Sequence, residues 1–294
     1  MKKNQKKAYI FAITSVAIWS TVATAFKITL RHTSVVNMLF VSTLVSMITL
    51  FLIILIEKKY YLLKKITLKD ITYSMVLGLL NPLLYYIVLF NAYDLLRAQE
   101  AQAINYTWAI TLTILAYFFL GQKLTIGDII GLILSYLGVY IIATKGDIFT
   151  FDIKTNPLGI ALALLSTVIW ALYWILNTRD KLYPAIRLFL NFTWGSLSIL
   201  IIFLLQKDPL PLSGILGGIY IGLFEMGITF FFWSKALKYT TSTAKVSILI
   251  YLSPFLSLLF IHFIVGETIY FSTLIGLFMI IGGIIIQKMW PQKS

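Results

Sequence analysis

Ten apolar runs, each near the ~20 residues a helix needs to cross about 30 Å of hydrocarbon, set what this chain can fold into. They cover residues 8–27, 35–56, 71–93, 99–120, 126–144, 157–178, 184–205, 213–234, 244–265 and 270–288. Only short segments join them, which leaves no room for a folded domain outside the membrane. With 60% hydrophobic and 12% charged residues among 294, too few polar groups remain to solvate a water-soluble surface. An all-α integral membrane protein is the fold class that fits.

The ten runs read as two copies of a five-run unit, 1–148 and 149–294, which together make one transmembrane domain. GLLNP (78–82) aligns with GLFEM (222–226), and Ala92 with Ala236. After a one-residue slip, Tyr106 aligns with Tyr251, and Gly121, Gly131 and Gly138 with Gly266, Gly276 and Gly283. Trp19 in IWSTVA (18–23) pairs with Trp170 in IWALYW (169–174). An odd number of spans per copy makes the second copy enter the membrane from the opposite side. The expected architecture is therefore ten transmembrane helices in two five-helix inverted-topology repeats, an arrangement that lets one site face either side in turn.

Charge placement orients the chain. With both termini in the cytoplasm, 18 of the 24 Lys and Arg fall on that side, including Lys2, Lys123, Arg179, Arg187, Lys245 and Lys293. A bacterial cytoplasmic membrane, crossed many times, is the expected location. The formal charge of +13 then serves orientation and contact with membrane lipids, and no nucleic-acid partner is expected. Lys2, Lys3, Lys6 and Lys7 before an apolar run, with Ala23-Thr24-Ala25 inside it, imitate a signal peptide. The repeat partner around Trp170 argues that the first run is retained. With no cysteine and with His32 and His262 far apart, neither thiolate chemistry nor a metal site has support. No phosphate-binding loop or nucleophile triad occurs, so neither enzymatic catalysis nor a cofactor is expected.

Several segments carry a family resemblance: IWST (18–21), INYTWAITLTILAYFFLGQK (104–123) and IWALYWILNT (169–178). The chain resembles the ten-helix EamA-type members of the drug/metabolite transporter superfamily, and these segments resemble bacterial aromatic amino-acid exporters. The resemblance implies a secondary transporter moving small metabolites by alternating access. One departure is that Ala109 follows Trp108, where those exporters tend to have proline; Pro254 stands at the matching place of the second half. A helix break is thus expected more strongly in the ninth run than in the fourth.

Glu225 lies near the middle of the eighth run, where an ionised carboxylate costs a few kcal/mol or more. Gly218, Gly222, Glu225 and Thr229 are expected on one helical face turned into the bundle. Glu225 reads as a proton-coupling group, as a counter-ion for a cationic substrate, or as a helix-bridging glutamate. Its aligned residue Asn81 precedes Pro82 and suits either a kinked cavity wall or a simple kink. In the fourth run Gln99, Gln102, Tyr106, Ala109 and Thr113 form a stripe, with Asn105 beside it, and Tyr106 and Tyr251 are a matched pair. Asp94, Arg97 and Glu100 read as a solvated cap. Trp19, Trp170, Trp174, Tyr85, Tyr86 and Tyr173 supply rings for stacking, cation–π contact or plain packing. Lys27 reads as snorkelling outward, and Asn177 and Asn191 as weaker cavity candidates. The glycines of the fifth and tenth runs, with Leu134, read as packing faces, with a homodimer contact among their uses.

A small-molecule substrate is the expected partner, with a proton as one candidate coupling ion. An amino acid or related metabolite for export, and an organic cation held by Glu225, are the two transport readings. A non-transporting scaffold or sensor is the third.

Overall fold

The computed structural model describes residues 3–149, 152–177, 180–242 and 246–290. Of the positions used above, Lys2, Thr178, Arg179, Lys245 and Lys293 lie outside the described residues. Among the described residues ten helices are long and apolar enough to span a bilayer. They are α1 (Gln5–Leu30), α2 (Val35–Ile56), α3 (Leu68–Leu95), α4 (Ala98–Leu120) and α5 (Ile126–Ala143). The second half supplies α6 (Pro157–Asn177), α7 (Pro184–Gln206), α8 (Leu212–Tyr239), α9 (Ile248–Val265) and α10 (Phe271–Met289). Each falls on one of the apolar runs, and no strand occurs among the described residues.

Local sequence explains most helix ends. Asn4 caps α1 by accepting from the Lys7 amide at 3.0 Å. Reciprocal capping boxes open α3 (Thr67 with Asp70) and α5 (Thr125 with Asp128). Pro184 opens α7, where its missing N–H costs nothing. Gly121 ends α4 at φ +66° and Gly266 follows α9 at φ +81°, a left-handed backbone that glycine adopts without strain.

The chain gathers into two compact units, and each crosses the boundary between sequence halves. The first holds the residues up to Leu83 together with Lys181–Val265. In it α1 packs on α8 and α9, α2 on α7 and α8, and the first part of α3 on α7. The second holds Leu84–Asp180 and the residues from Gly266. There α6 packs on the second part of α3 and both parts of α4, while α5 packs on α10. The chain passes between the units inside α3.

The α5–α10 contact is backbone against backbone. A Cβ on Gly138 would lie 2.5 Å from the Gly276 carbonyl oxygen, and one on Gly131 2.6 Å from that of Gly283. Ser135 adds a hydrogen bond to the Ile280 carbonyl at 3.2 Å. These matched glycines are therefore consumed within the chain, where close approach replaces the hydrophobic drive that lipid removes.

Candidate functional site

Helix α8 is not continuous at Glu225. It runs as Leu212–Phe224, turns through Glu225–Gly227, and resumes as Ile228–Tyr239. The expected single face of Gly218, Gly222, Glu225 and Thr229 is therefore broken, because Gly227 leaves the helical region at φ −115°, ψ −94°. Gly218 and Gly222 press on Val41 and the Ser42 carbonyl of α2. Thr229 is fully buried and donates to the Phe224 carbonyl freed by the turn. Ser46 of α2 donates to the Met226 carbonyl at 2.9 Å. Glu225 is half-buried at the end of the first segment, its amide still bonded to the Ile221 carbonyl at 2.8 Å.

Helix α3 breaks at the aligned place. A widened turn over Leu79–Leu84 separates helix Leu68–Gly78 from helix Tyr85–Leu95. Asn81 takes extended angles (φ −144°, ψ 116°), and its bond to Pro82 is cis. Pro82 seats against Gly195 of α7, and Gly78 meets the Asn191 carbonyl. The Asn81 amide oxygen is buried and accepts no hydrogen bond from the described residues.

The fourth helix also breaks, although a break is expected more strongly in the ninth. Segments Ala98–Asn105 and Trp108–Leu120 meet at Tyr106 and Thr107. There the Thr107 amide reaches back only three residues, to the Ile104 carbonyl at 3.0 Å. The Thr107 hydroxyl donates to the same carbonyl at 2.8 Å, so a threonine tightens the turn and does the work of a proline. In α9 a tight turn over Ile248–Leu252, holding buried Tyr251, precedes the segment that Ser253 and Pro254 open.

The aromatic candidates fall into two clusters. In the first unit Trp19 stands edge-on to Phe230 (centroids 5.7 Å) and tilted on Trp233 (5.6 Å). Beside it Thr21 shares a 2.6 Å hydrogen bond with Tyr220. In the second unit Trp170 meets Tyr85 at 4.6 Å and Tyr173 and Trp174 each at 5.8 Å. The Trp174 indole N–H is buried and donates to no described residue.

The polar stripe of α4 divides between structure and site. Gln99 is fully buried, donating to the Thr268 carbonyl at 2.8 Å and accepting from the Tyr270 amide at 2.9 Å. Asn105 donates to the Ser166 hydroxyl at 2.9 Å, and Thr113 accepts from Gln287. Gln102 is buried with its amide oxygen unpartnered among the described residues. The expected solvated cap is corrected in part. Glu100 is 3% exposed, accepting from the Arg97 amide at 3.2 Å and the Thr155 hydroxyl at 3.4 Å, and Arg97 lies over the Tyr270 ring at 4.4 Å. The first turn of α4 is folded under the α9–α10 connection, where Glu267 accepts from the Ala98 amide at 2.8 Å.

Two polar clusters escaped sequence reasoning. Arg187, counted there only as a cytoplasmic charge, is 3% exposed and donates to the Asp70 carbonyl at 3.0 Å and to the Ser74 hydroxyl. Its guanidinium also stands 3.7 Å from the Asp70 carboxylate. A basic residue four positions into an apolar run was the only signal available. At the end of α2, Glu57 accepts from Lys235 at 2.7 Å and from the Tyr183 hydroxyl at 2.6 Å. Burial alone would raise the Glu57 carboxyl. Hydrogen bonds from Lys235 and Tyr183, with the charges of Lys235 and Lys238, outweigh it and hold the group below its ordinary value. Tyr183 is pushed up, by burial first and then by donating to Glu57. Among the described residues no group of three or more His, Cys, Asp or Glu stands where it could hold a metal ion.

The ten apolar helices among the described residues, several interrupted near mid-span, are those of a multi-pass membrane protein. Residues 6–144 and 157–287 each match the EamA-like transporter family, and the chain belongs to that family, part of the drug/metabolite transporter superfamily. An uncharacterized transporter of Clostridium kluyveri is 27% identical over 98% of this chain and 95% of its own length. The aromatic amino acid exporter YddG of Escherichia coli is 24% identical over 64% of this chain and 66% of its own length. A solved crystal structure, 18% identical, shares the fold with a TM-score of 0.66 over 96% of each chain.

Proposed function

We propose that this chain is a secondary transporter that exports amino acids or related small metabolites by alternating access between two inverted repeats, 1–148 and 149–294. One observation carries the reading: α3 and α8 are interrupted at aligned residues, Asn81 and Glu225. Unwound backbone at mid-membrane is tolerated where it lines a cavity or is buried in protein, and inverted-repeat transporters place their sites there. Further support comes from the departures at Tyr106 and Tyr251 and from the left-handed glycines 121 and 266. The helix packing supports the repeat in the same way. If α1 corresponds to α6, the contacts of α1 with α8 and α9 map onto those of α6 with α3 and α4.

In this reading Glu225 carries a coupling proton, and the Asn81 amide oxygen, in the same unit, accepts from the substrate's ammonium. The Trp19 cluster of that unit packs on its apolar part. Both termini lie in the cytoplasm of a bacterial inner membrane. Sealed proteoliposomes loaded with labelled phenylalanine, tryptophan or tyrosine test it under an imposed proton gradient. Gradient-dependent movement of at least one of them is expected, and no movement of any amino acid would sink the proposal. Movement only of quaternary ammonium compounds, lost in Glu225→Gln, would replace it with an organic-cation transporter.

A further inference from the structure

A groove in the first unit changes chemistry along its length. Its floor is Leu50, Ile53, Leu188, Phe230 and Phe231, and its mouth is Glu57, Tyr183, Lys235 and Lys238. From Leu50 to Glu57 is seven residues of helix, so the change from apolar to charged takes about 10 Å. These residues lie on the last two turns of α2, the first turns of α7 and the last turns of α8. The mouth therefore stands where spanning helices leave the hydrocarbon for the headgroup layer.

The charges at the mouth are unequal. Glu57 is the carboxylate there, and it is occupied by Lys235 and Tyr183. Lys238 is exposed, donates to the Tyr183 hydroxyl at 3.3 Å and lies over the Tyr183 ring at 5.1 Å. Lys59 also stands over the Tyr183 ring, at 5.8 Å, and Lys3 donates to the Lys238 carbonyl at 3.3 Å. Three lysines thus remain beyond the Lys235–Glu57 pair. A basic rim above an apolar slot fits an amphiphile with a phosphodiester head. A free anion would meet the rim and leave the slot unfilled.

We propose that this groove binds one anionic phospholipid, its phosphate held by Lys59 and Lys238 and an acyl chain laid between Leu188 and Phe231. The groove shares Phe230 with the Trp19 cluster at its floor, while the mouth residues Lys235 and Lys238 lie beyond the α8 turn, and lipid binding there does not depend on what the protein carries.

Thermal unfolding of the purified full chain in neutral detergent tests the assignment, with phosphatidylglycerol, phosphatidylcholine or inorganic phosphate added. Phosphatidylglycerol is expected to raise the melting temperature most. Each lysine near a membrane surface contributes about five-fold in affinity, so Lys59→Gln with Lys238→Gln should weaken the phosphatidylglycerol midpoint by about 25-fold. Lys64→Gln with Lys65→Gln, on the same connection but outside the groove, controls for loss of charge alone and should leave the midpoint within two-fold. Leu188→Trp, filling the slot, should abolish the stabilisation while the rim stays intact. Equal stabilisation by phosphatidylcholine, stabilisation by inorganic phosphate alone, or equal weakening by the two lysine pairs would each overturn the proposal.

Discussion

The breaks in α3 and α8 sit at aligned positions and are built differently. In α8 no proline is present: a glycine turns the chain, and the freed carbonyls of Phe224 and Met226 are taken by the hydroxyls of Thr229 and Ser46. In α3 Pro82 enforces the interruption and is wedged on Gly195, while the buried Asn81 amide oxygen has no partner among the described residues. The α8 break is satisfied by hydroxyls, one of its own and one from α2, and presents a carboxyl group. The α3 break is held by shape and presents an idle acceptor. Where buried backbone is interrupted in a membrane, each freed group must find a partner or cost several kcal/mol. An acceptor left idle among otherwise satisfied neighbours is what a ligand can use.

Four substitutions separate the two constructions. Gly195→Leu drives a side chain into Pro82 and should cost the most, on the order of 3 kcal/mol or above, read as a large fall in melting temperature. Ser46→Ala leaves the Met226 carbonyl unsatisfied between two fully buried residues, and about 1–3 kcal/mol should be lost. Thr229→Val removes the equivalent bond to Phe224 within one helix, where local adjustment is easier, and about 1 kcal/mol is expected. Asn81→Ala deletes an oxygen that bonds to nothing described, so its stability should stay within about 0.5 kcal/mol of wild type. If Asn81→Ala were as damaging as Ser46→Ala, the contrast between the breaks would collapse.

A smaller effect belongs to the end of α2. Glu57 is held below its ordinary value of 4.5, so its contribution is fully present above that pH and is lost as pH falls through the lower folded value. The melting-temperature gap between wild type and Glu57→Gln should therefore be constant near neutrality and narrow on acidification. A gap that widens below pH 4.5 would contradict the pairing with Lys235 and Tyr183.

Much of the fold could be read from residues alone, because run length and charge exclusion act on any chain in a bilayer. The apolar run at 35–56 matches the helix Val35–Ile56 to the residue, and 71–93 falls inside Leu68–Leu95. The interruptions were less legible. Pro82 announced one, whereas Thr107 and Gly227 break their helices through hydrogen bonds and backbone angles that composition does not display. Glu225 stood out as a charge in an apolar run, yet its helical face with Thr229 was an extrapolation of regular geometry across a turn. Arg187 was hidden for a different reason. Its partners Asp70 and Ser74 are over a hundred residues away, and no periodicity within α7 encodes them.

The account rests most heavily on the paired mid-span groups, and one experiment addresses them together. Asn81→Ala, Glu225→Gln and wild type would be reconstituted side by side, and amino-acid flux and melting temperature read from the same preparations. The account predicts that flux falls at least ten-fold in both variants while melting temperatures stay within a few degrees of wild type. Flux that survives both substitutions, or that fails only in step with the melting temperature, would contradict it.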